Sequence, residues 1–309
     1  MFREKIPPRQ LSAWLLTGLI PVLIQLLSGA SWVWVAVAVA ASLVLTLIMW
    51  HKGWELRKWQ CPFLFIYIVV LLSQLLPLAA QSWPVGNSDP AVPLILLLLA
   101  AWSARKGPSA AARVGVTLFW AVLLLYLIVL CAGTKDAQLH WLKPQWNAPD
   151  ALALTLLLLP AASACLLMGN TGARSARLFL LPLLLTTAAM ITAGVLSPDV
   201  ASDTPNAFYE MTRSIDLFGV ASRFEPLISA GMTVGWFALM SILLTLCGVA
   251  AHKIFAGLGE GGVWLAAIAA AISRLCGLHI PGWIMLLSGT VFWVAMPLLT
   301  QGLDLRKKS

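Results

Sequence analysis

Long apolar runs separated by short polar segments make up most of this 309-residue chain. A helix needs about 20 largely apolar residues to cross a bilayer, and ten runs approach that length. The fourth and ninth runs are short, and the eighth is long enough to tilt or to project from the membrane. The pattern predicts an all-α polytopic membrane protein with about ten transmembrane helices. The predicted spans are Leu11–Ser28, Trp32–Trp50, Cys61–Ala80, Ala91–Ser103, Ala112–Ala132, Ala151–Met168, Ala176–Leu196, Pro226–Ala251, Gly262–Cys276 and Pro281–Thr300.

The composition supports this fold class and excludes several others. Apolar residues make up 60% of the chain, charged residues only 10%, and the mean hydropathy is +0.89. A soluble domain carries about a quarter charged residues, so a cytosolic enzyme and a disordered segment are excluded. The five cysteines form no Cys-x-x-Cys pair. We interpret them as small packing residues rather than as a disulfide framework or a metal site.

The basic residues lie between the apolar runs, where they set orientation in a bilayer and do not indicate nucleic-acid binding. With the N-terminus inside, fifteen of the 20 Lys and Arg residues fall on the inner side and five on the outer side. This asymmetry predicts that both termini are cytoplasmic, with tails 1–10 and 301–309 flanking a single bundle over 11–300. The alternative for the first run is a signal peptide cleaved near Gly29, because small residues lie there.

Two prolines near span midpoints indicate interrupted helices. Pro21 lies near the middle of span one beside Gly18, and Pro160 lies at the middle of span six. Because a mid-helix proline removes a backbone hydrogen bond, the carbonyls of Thr17 and Leu156 would need another partner, such as a ligand or an ion. The two spans are five apart, which favours a five-plus-five inverted repeat with broken helices one and six, as in many secondary transporters. The alternative is that each proline only kinks its helix.

The most polar part of the chain is Ser197–Glu225, between the seventh and eighth spans. Its second half predicts a helix on the outer surface over 206–219, with an apolar stripe on one face. On the opposite face, Arg213 is three residues from both Glu210 and Asp216 and can pair with either. The alternative interpretation of these charges is a solvated, ion-paired cap. The apolar stripe consists of Phe208, Met211, Ile215 and Phe218.

The stretch Asn206–Trp236 resembles the spore-germination permeases, which are the B subunits of nutrient germinant receptors. The opening Lys5-Ile-Pro-Pro-Arg-Gln10 and the ten-span layout are also similar to that family. The family in turn is similar to the amino acid–polyamine–organocation transporters. The resemblance therefore implies an inverted-repeat fold, with A- and C-type receptor subunits as partners. The matching features of the stretch are Arg213-Ser-Ile215, Phe218, Arg223-x-Glu225 with Leu227, and Trp236.

The resemblance implies a receptor subunit in an inner or spore membrane that binds a small germinant, expected to be an amino acid. The half-helix after Pro21 would direct its amides at the ligand carboxylate. Freed carbonyls near Gly18 and before Pro160 would accept hydrogen bonds from the ligand ammonium. The predicted ligand-binding residues are Thr17, Gly18, Pro21, Gln25, Ser73, Pro160 and Ser163. By the resemblance, Arg213, Asp216, Arg223 and Glu225 have a structural or coupling role.

Two other functions stay open, namely an autonomous amino-acid permease of the same fold and a scaffold that only anchors partner subunits. An enzyme is not expected, because the apolar runs contain no constellation of acid, base and nucleophile and no charged residue at mid-span. No metal-ligand spacing occurs, and no nucleotide-binding motif follows a predicted strand. The sequence therefore predicts no cofactor, no metal and no nucleic-acid partner.

Overall fold

The computed structural model describes residues 6–52, 56–82, 91–161, 176–215, 225–297 and 299. Across these residues the regular structure is helical and no β-strand is present, which confirms the predicted all-α class. The helices are α1 (Pro8–Leu27), α2 (Trp32–Lys52), α3 (Cys61–Ala80), α4 (Ala91–Ala104), α5 (Pro108–Gly133), α6 (Ala151–Leu157), α7 (Leu180–Leu196), α8 (Pro198–Asp203), α9 (Ala207–Ser214), α10 (Glu225–Ile254), α11 (Gly259–Leu275) and α12 (Gly282–Thr290).

Six helices within the described ranges are long and apolar enough to cross a membrane, which indicates a multi-pass membrane protein. Each of the ten predicted runs contains a helix, but the other four helices are shorter than a bilayer normally requires. The structure therefore supports six of the predicted spans by length and composition. These six are Pro8–Leu27, Trp32–Met49, Lys58–Ala80, Pro108–Gly133, Arg177–Leu196 and Glu225–Ile254.

Helices α1 and α10 form the centre of the bundle. In the most apolar part of each helix, 89% of the residues are buried in α1 and 83% in α10, against 28% in α2. Glycines permit the close approach, because a Cβ atom at Gly18 would lie 2.9 Å from the backbone nitrogen of Leu239. Small residues at crossings are the usual way for membrane helices to pack closely.

Helix α1 is continuous through Pro21, so the predicted break in helix one is wrong. A Cβ atom at Gly235 of α10 would lie 2.6 Å from the Cβ atom of Pro21, so the two residues are in close contact. The proline removes one backbone hydrogen bond, and the helix nevertheless continues to Leu27. The helix also begins at Pro8, three residues before the predicted span, because proline fits the first helical turn.

A single turn residue, Leu158, interrupts the sixth helix two positions before Pro160, and its backbone keeps right-handed helical angles. The predicted broken helix at Pro160 stays a prediction. Helix α6 ends at Leu157, Leu158 forms a turn, and helical conformation resumes over residues 159–161. The carbonyl of Leu157 accepts a hydrogen bond from the Ser42 hydroxyl of α2. A carbonyl beside the interruption thus has a partner within the protein, as backbone buried in a membrane requires.

Candidate functional site

Three of the predicted ligand-binding residues on α1 take part in helix packing. The Thr17 hydroxyl lies 2.8 Å from the carbonyl oxygen of Ala13 and 2.9 Å from that of Gly115 on α5. Gly18 and Pro21 are buried and face α10. These residues fasten α1 to its two neighbours, and their contact with a ligand stays a prediction.

Gln25, the next predicted residue along α1, belongs to a buried group of polar side chains. Its Oε1 atom accepts hydrogen bonds from the Ser82 hydroxyl at 2.9 Å and from the Trp236 indole N–H at 3.1 Å. The Trp236 N–H also lies 2.7 Å from the Ser82 oxygen, and Gln25 Nε2 donates to the Leu78 carbonyl at 3.4 Å. We call Gln25, Ser82 and Trp236 the polar network. It joins α1, the end of α3 and α10.

The polar network was only partly visible in the sequence. Gln25 was predicted as a ligand residue, and Trp236 was noted for the family resemblance. Ser82 carried no signal of its own, since one serine at the end of an apolar run is unremarkable. A buried network whose members bond to one another makes a rigid joint, because separating them would leave polar atoms without partners.

The other predicted residues lie elsewhere. The Ser73 hydroxyl donates to the Val70 carbonyl at 2.7 Å. Its neighbour Gln74 donates to the Leu278 carbonyl at 2.8 Å, which ties α3 to the connection between α11 and α12. Pro160 lies two positions after the turn residue of the sixth helix, and Ser163 is outside the described residues.

The predicted amphipathic helix is present as α9, over Ala207–Ser214 rather than the full 206–219. Phe208, Met211 and Ile215 of its apolar stripe are buried. The Phe208 ring stacks on Tyr126 of α5 with 5.5 Å between centroids, and the Met211 sulfur accepts a hydrogen bond from Thr192 of α7. The helix therefore packs into the end of the bundle. The fourth residue of the stripe, Phe218, lies outside the described residues.

The charged face of α9 forms an ion-paired cluster with the start of α10. Arg213 Nη1 lies 3.2 Å and 3.1 Å from the two Glu210 carboxylate oxygens, which confirms the predicted pair. Arg213 Nε lies 3.4 Å from Glu225, so one guanidinium links two elements. Hydrogen bonding to Glu210 and the two negative charges raise the pKa of Arg213. The other two residues of the predicted coupling group, Asp216 and Arg223, lie outside the described residues.

Beside this cluster lies a cavity of about 370 Å³, which we call the α9 cavity. Its volume falls within the ~300–1,000 Å³ typical of small-molecule sites. Most of its lining residues are of polar types, and they come from the end of α3, from α9 with the chain before it, and from the first residue of α10. The lining residues are Gln81, Thr204, Pro205, Asn206, Tyr209, Glu210, Arg213 and Glu225.

Two buried polar atoms at the α9 cavity have no hydrogen-bond partner within the described part of the chain, Asn206 Oδ1 and the Tyr209 hydroxyl. The Tyr209 side chain is 8% exposed. Burial raises the pKa of Tyr209 and the negative charge of Glu225 raises it further, so the hydroxyl is protonated at neutral pH. A hydrogen bond with the nearby Ser229 hydroxyl would lower the pKa of Tyr209. The hydroxyl groups of Ser229 and Tyr209 are not oriented for such a bond, and neither has a partner among the described residues.

A second cavity, of about 300 Å³, lies between α3, α4 and α11. It is mostly apolar, with Gln81 and Arg274 as its polar residues. Gln81 lines both cavities, and the next residue is Ser82 of the polar network. Ser82 of the polar network is therefore the chain neighbour of a residue that lines both cavities.

We expect Ser28→Ala to loosen α9. The Phe208 N–H at the start of α9 donates to the Ser28 hydroxyl of the α1 end at 3.0 Å, and Ser28 is buried. Losing such a cap destabilises a helix by about 0.5–2 kcal/mol. Hydrogen–deuterium exchange should then quicken at the Phe208 amide. Ser202→Ala is the control, because this exposed serine donates to Asp199 within α8, and equal exchange in both variants would contradict the capping role.

Among the described residues, no group of three or more His, Cys, Asp and Glu side chains could hold a metal ion. Comparison with protein-family models and with curated proteins found no match. The family interpretation therefore depends on the resemblance of Asn206–Trp236 and on the ten-run layout.

Proposed function

We propose that this protein is the membrane subunit of a spore nutrient germinant receptor. It binds a small germinant, an amino acid by expectation, and signals to A- and C-type partner subunits. The proposed location is the inner or spore membrane, with both termini cytoplasmic. The multi-pass helical fold and the resemblance of Asn206–Trp236 support the proposal.

The observation that carries the proposal is that two residues quoted for the resemblance, Arg213 and Glu225, form an ion pair between α9 and α10. Glu225 is the first residue of α10, and Trp236 lies further along the same helix. Trp236 in turn bonds to Gln25 on α1. A ligand that alters the α9 end can therefore bias the contact between the two central helices, which is a physical route from binding to a signal.

We further propose that four more helices cross the membrane as shorter or tilted spans, so that there are ten transmembrane helices in all. These four are α4, α6, α11 and α12. In a five-plus-five repeat, α1 and α6 are equivalent. The interruption at Leu158 supports a transporter-like role for α6, because discontinuous helices line the sites of many secondary transporters. The same observation favours the second candidate, an autonomous amino-acid permease.

Reconstituted vesicles distinguish the two candidates. We expect vesicles that contain the full-length protein alone to bind tritiated glycine, L-alanine or L-serine saturably, without uptake in a counterflow assay. A receptor subunit needs only to bind its ligand, whereas a permease must release it on the other side. Protein-free vesicles give the background.

Saturable counterflow above that background would establish the permease. It would contradict a receptor subunit that binds its ligand without transporting it. If none of the three amino acids binds or enters, both candidates fail for small amino acids and the scaffold becomes the better explanation.

A further inference from the structure

We infer that the α9 cavity binds the primary ammonium group of a small molecule, with Glu225 and Glu210 providing the negative charge. The inference depends on the proposed function for its ligand class, but it assigns the ammonium site to a different place from the predicted one. The carbonyls near Gly18 were expected to receive the ammonium, and Gly18 is packed against the backbone of α10. The α9 cavity offers space, charge and hydrogen-bond acceptors together.

The charge balance of the cavity favours a cation. Among the described lining residues, two are carboxylates and one is a guanidinium, which leaves a net charge of about one negative from this part of the wall. Glu225 and Glu210 come from different elements, and Arg213 between them holds both in place. Attraction to a cation is stronger here than in bulk water because neighbouring protein lowers the effective dielectric constant.

The unpartnered polar atoms also point to a donor ligand. Asn206 Oδ1 can only accept a hydrogen bond, and the Tyr209 hydroxyl can accept one. A buried acceptor without a donor is costly, and each such group in a folded protein calls for a partner. An ammonium group has three N–H donors, and a carboxylate, an amide oxygen and a phenol oxygen line this one cavity. A carboxylate ligand without an ammonium would not satisfy Asn206.

An α-amino acid fits the remaining chemistry. The guanidinium of Arg213 has five N–H donors, and its contacts with described residues use only Nη1 and Nε. The Nη2 N–H groups can donate hydrogen bonds to the ligand carboxylate while the ligand ammonium lies beside Glu225. The same ammonium chemistry also occurs in simple amines and in the headgroup of phosphatidylethanolamine, so the test must separate these sources.

The first experiment compares ligands on the full-length protein in phosphatidylcholine vesicles. Unlabelled L-alanine and ethylammonium are each expected to displace tritiated L-alanine, whereas propionate, which lacks the ammonium, is not. Vesicles that contain phosphatidylethanolamine test whether a lipid headgroup supplies the ammonium. If it does, these vesicles should bind less L-alanine at equal protein content. Displacement by propionate as strong as that by ethylammonium would overturn the inference.

The second experiment changes the cavity wall. Glu225→Gln is expected to raise the Kd for L-alanine about tenfold or more, because it removes a charge-assisted hydrogen bond. Tyr209→Phe removes only a hydroxyl and should raise the Kd about threefold to tenfold. Glu225 is partly exposed, so neither substitution should prevent folding, which tryptophan fluorescence and gel filtration verify.

Two matched controls make the same chemical changes elsewhere. Asp203→Asn removes a negative charge from exposed α8, and Tyr126→Phe removes a buried hydroxyl without a partner among the described residues. Neither residue lines the α9 cavity. Both controls should leave the Kd within about twofold, a shift below 0.5 kcal/mol by the conversion of 1.4 kcal/mol per tenfold.

The outcomes separate this inference from the proposed function. If Glu225→Gln and Tyr209→Phe leave the Kd for L-alanine unchanged, the ammonium site is contradicted and the proposed receptor function is not. If tritiated L-alanine does not bind, tritiated ethylammonium replaces it, and binding that depends on Glu225 would support the site without the amino-acid receptor. Absence of binding by tritiated glycine, L-alanine, L-serine and ethylammonium would overturn both.

Discussion

Replacing Gly18 by leucine is expected to destabilise the centre of the bundle rather than merely remove a ligand contact. The Cβ atom would lie 2.9 Å from the backbone nitrogen of Leu239 and 3.1 Å from its Cα atom, and backbone cannot move aside as a flexible side chain can. Overpacking a close contact costs about 1–3 kcal/mol and sometimes more. Gly18→Ala should fall in that range, and Gly18→Leu should exceed it. Thermal unfolding in detergent, followed by tryptophan fluorescence, measures both.

Gly261→Leu is the matched control for the Gly18 variants. Gly261 is also helical, but it lies exposed on α11 and a Cβ atom there would have no neighbour within 4 Å. Its Tm should stay near that of the unmodified protein. A Gly18→Leu protein with an unchanged Tm and no ligand binding would contradict the packing role and support the ligand site that the sequence predicts.

Truncating Trp236 to alanine is expected to destabilise the protein by about 3–5 kcal/mol, the range for large-to-small substitutions of buried aromatic residues. The side chain is 0% exposed and contacts Gln25 and Ser82 through its N–H. Trp236→Phe keeps most of the volume and loses the donor. It should cost less, about 0.6–2 kcal/mol, as measured for hydrogen bonds between membrane helices. The same unfolding assay compares the two variants.

A double-mutant cycle tests whether the polar network acts as a unit. Gln25→Leu and Trp236→Phe each break the 3.1 Å bond between α1 and α10. Together they should cost less than the sum of the single substitutions, because the shared bond can be lost only once. Trp120→Phe, at an exposed tryptophan of α5, is the control for the tryptophan change. Additive costs would show that the three side chains do not act together.

The positions of the helices were predictable because hydrophobic length is a local property of the chain. The run Cys61–Ala80 is α3 without adjustment, and the spacing of Phe208, Met211 and Ile215 predicted the buried face of α9. The effect of proline was less predictable. Pro21 lies inside an unbroken α1, and Pro160 lies two positions after a one-residue turn in the sixth helix. Neighbouring helices in a membrane can compensate a hydrogen bond that proline removes, so the residue type alone does not predict a break.

The candidate site was predictable only in its charged part. Glu210 and Arg213 are three residues apart on one helix, so their pairing follows from helical geometry. The contribution of Glu225 depends on how the start of α10 approaches α9. That the Tyr209 hydroxyl has no partner among the described residues depends on the packing of α9 against its neighbours, and no spacing along the chain indicates it.

Apolar runs, their lengths and the polar stretch before the eighth run were sufficient for an all-helical, multi-pass protein with an amphipathic helix at one end. Burial of apolar side chains is non-directional, so its pattern survives in the linear order of residues. Folding in three dimensions settled which helices are central, where Gly18 and Gly235 let α1 approach α10, and that Gln25 bonds to Ser82 and Trp236. The bond between Gln25 and Trp236 joins residues 211 positions apart, and hydrogen bonds and close packing depend on distances that only the assembled helices define.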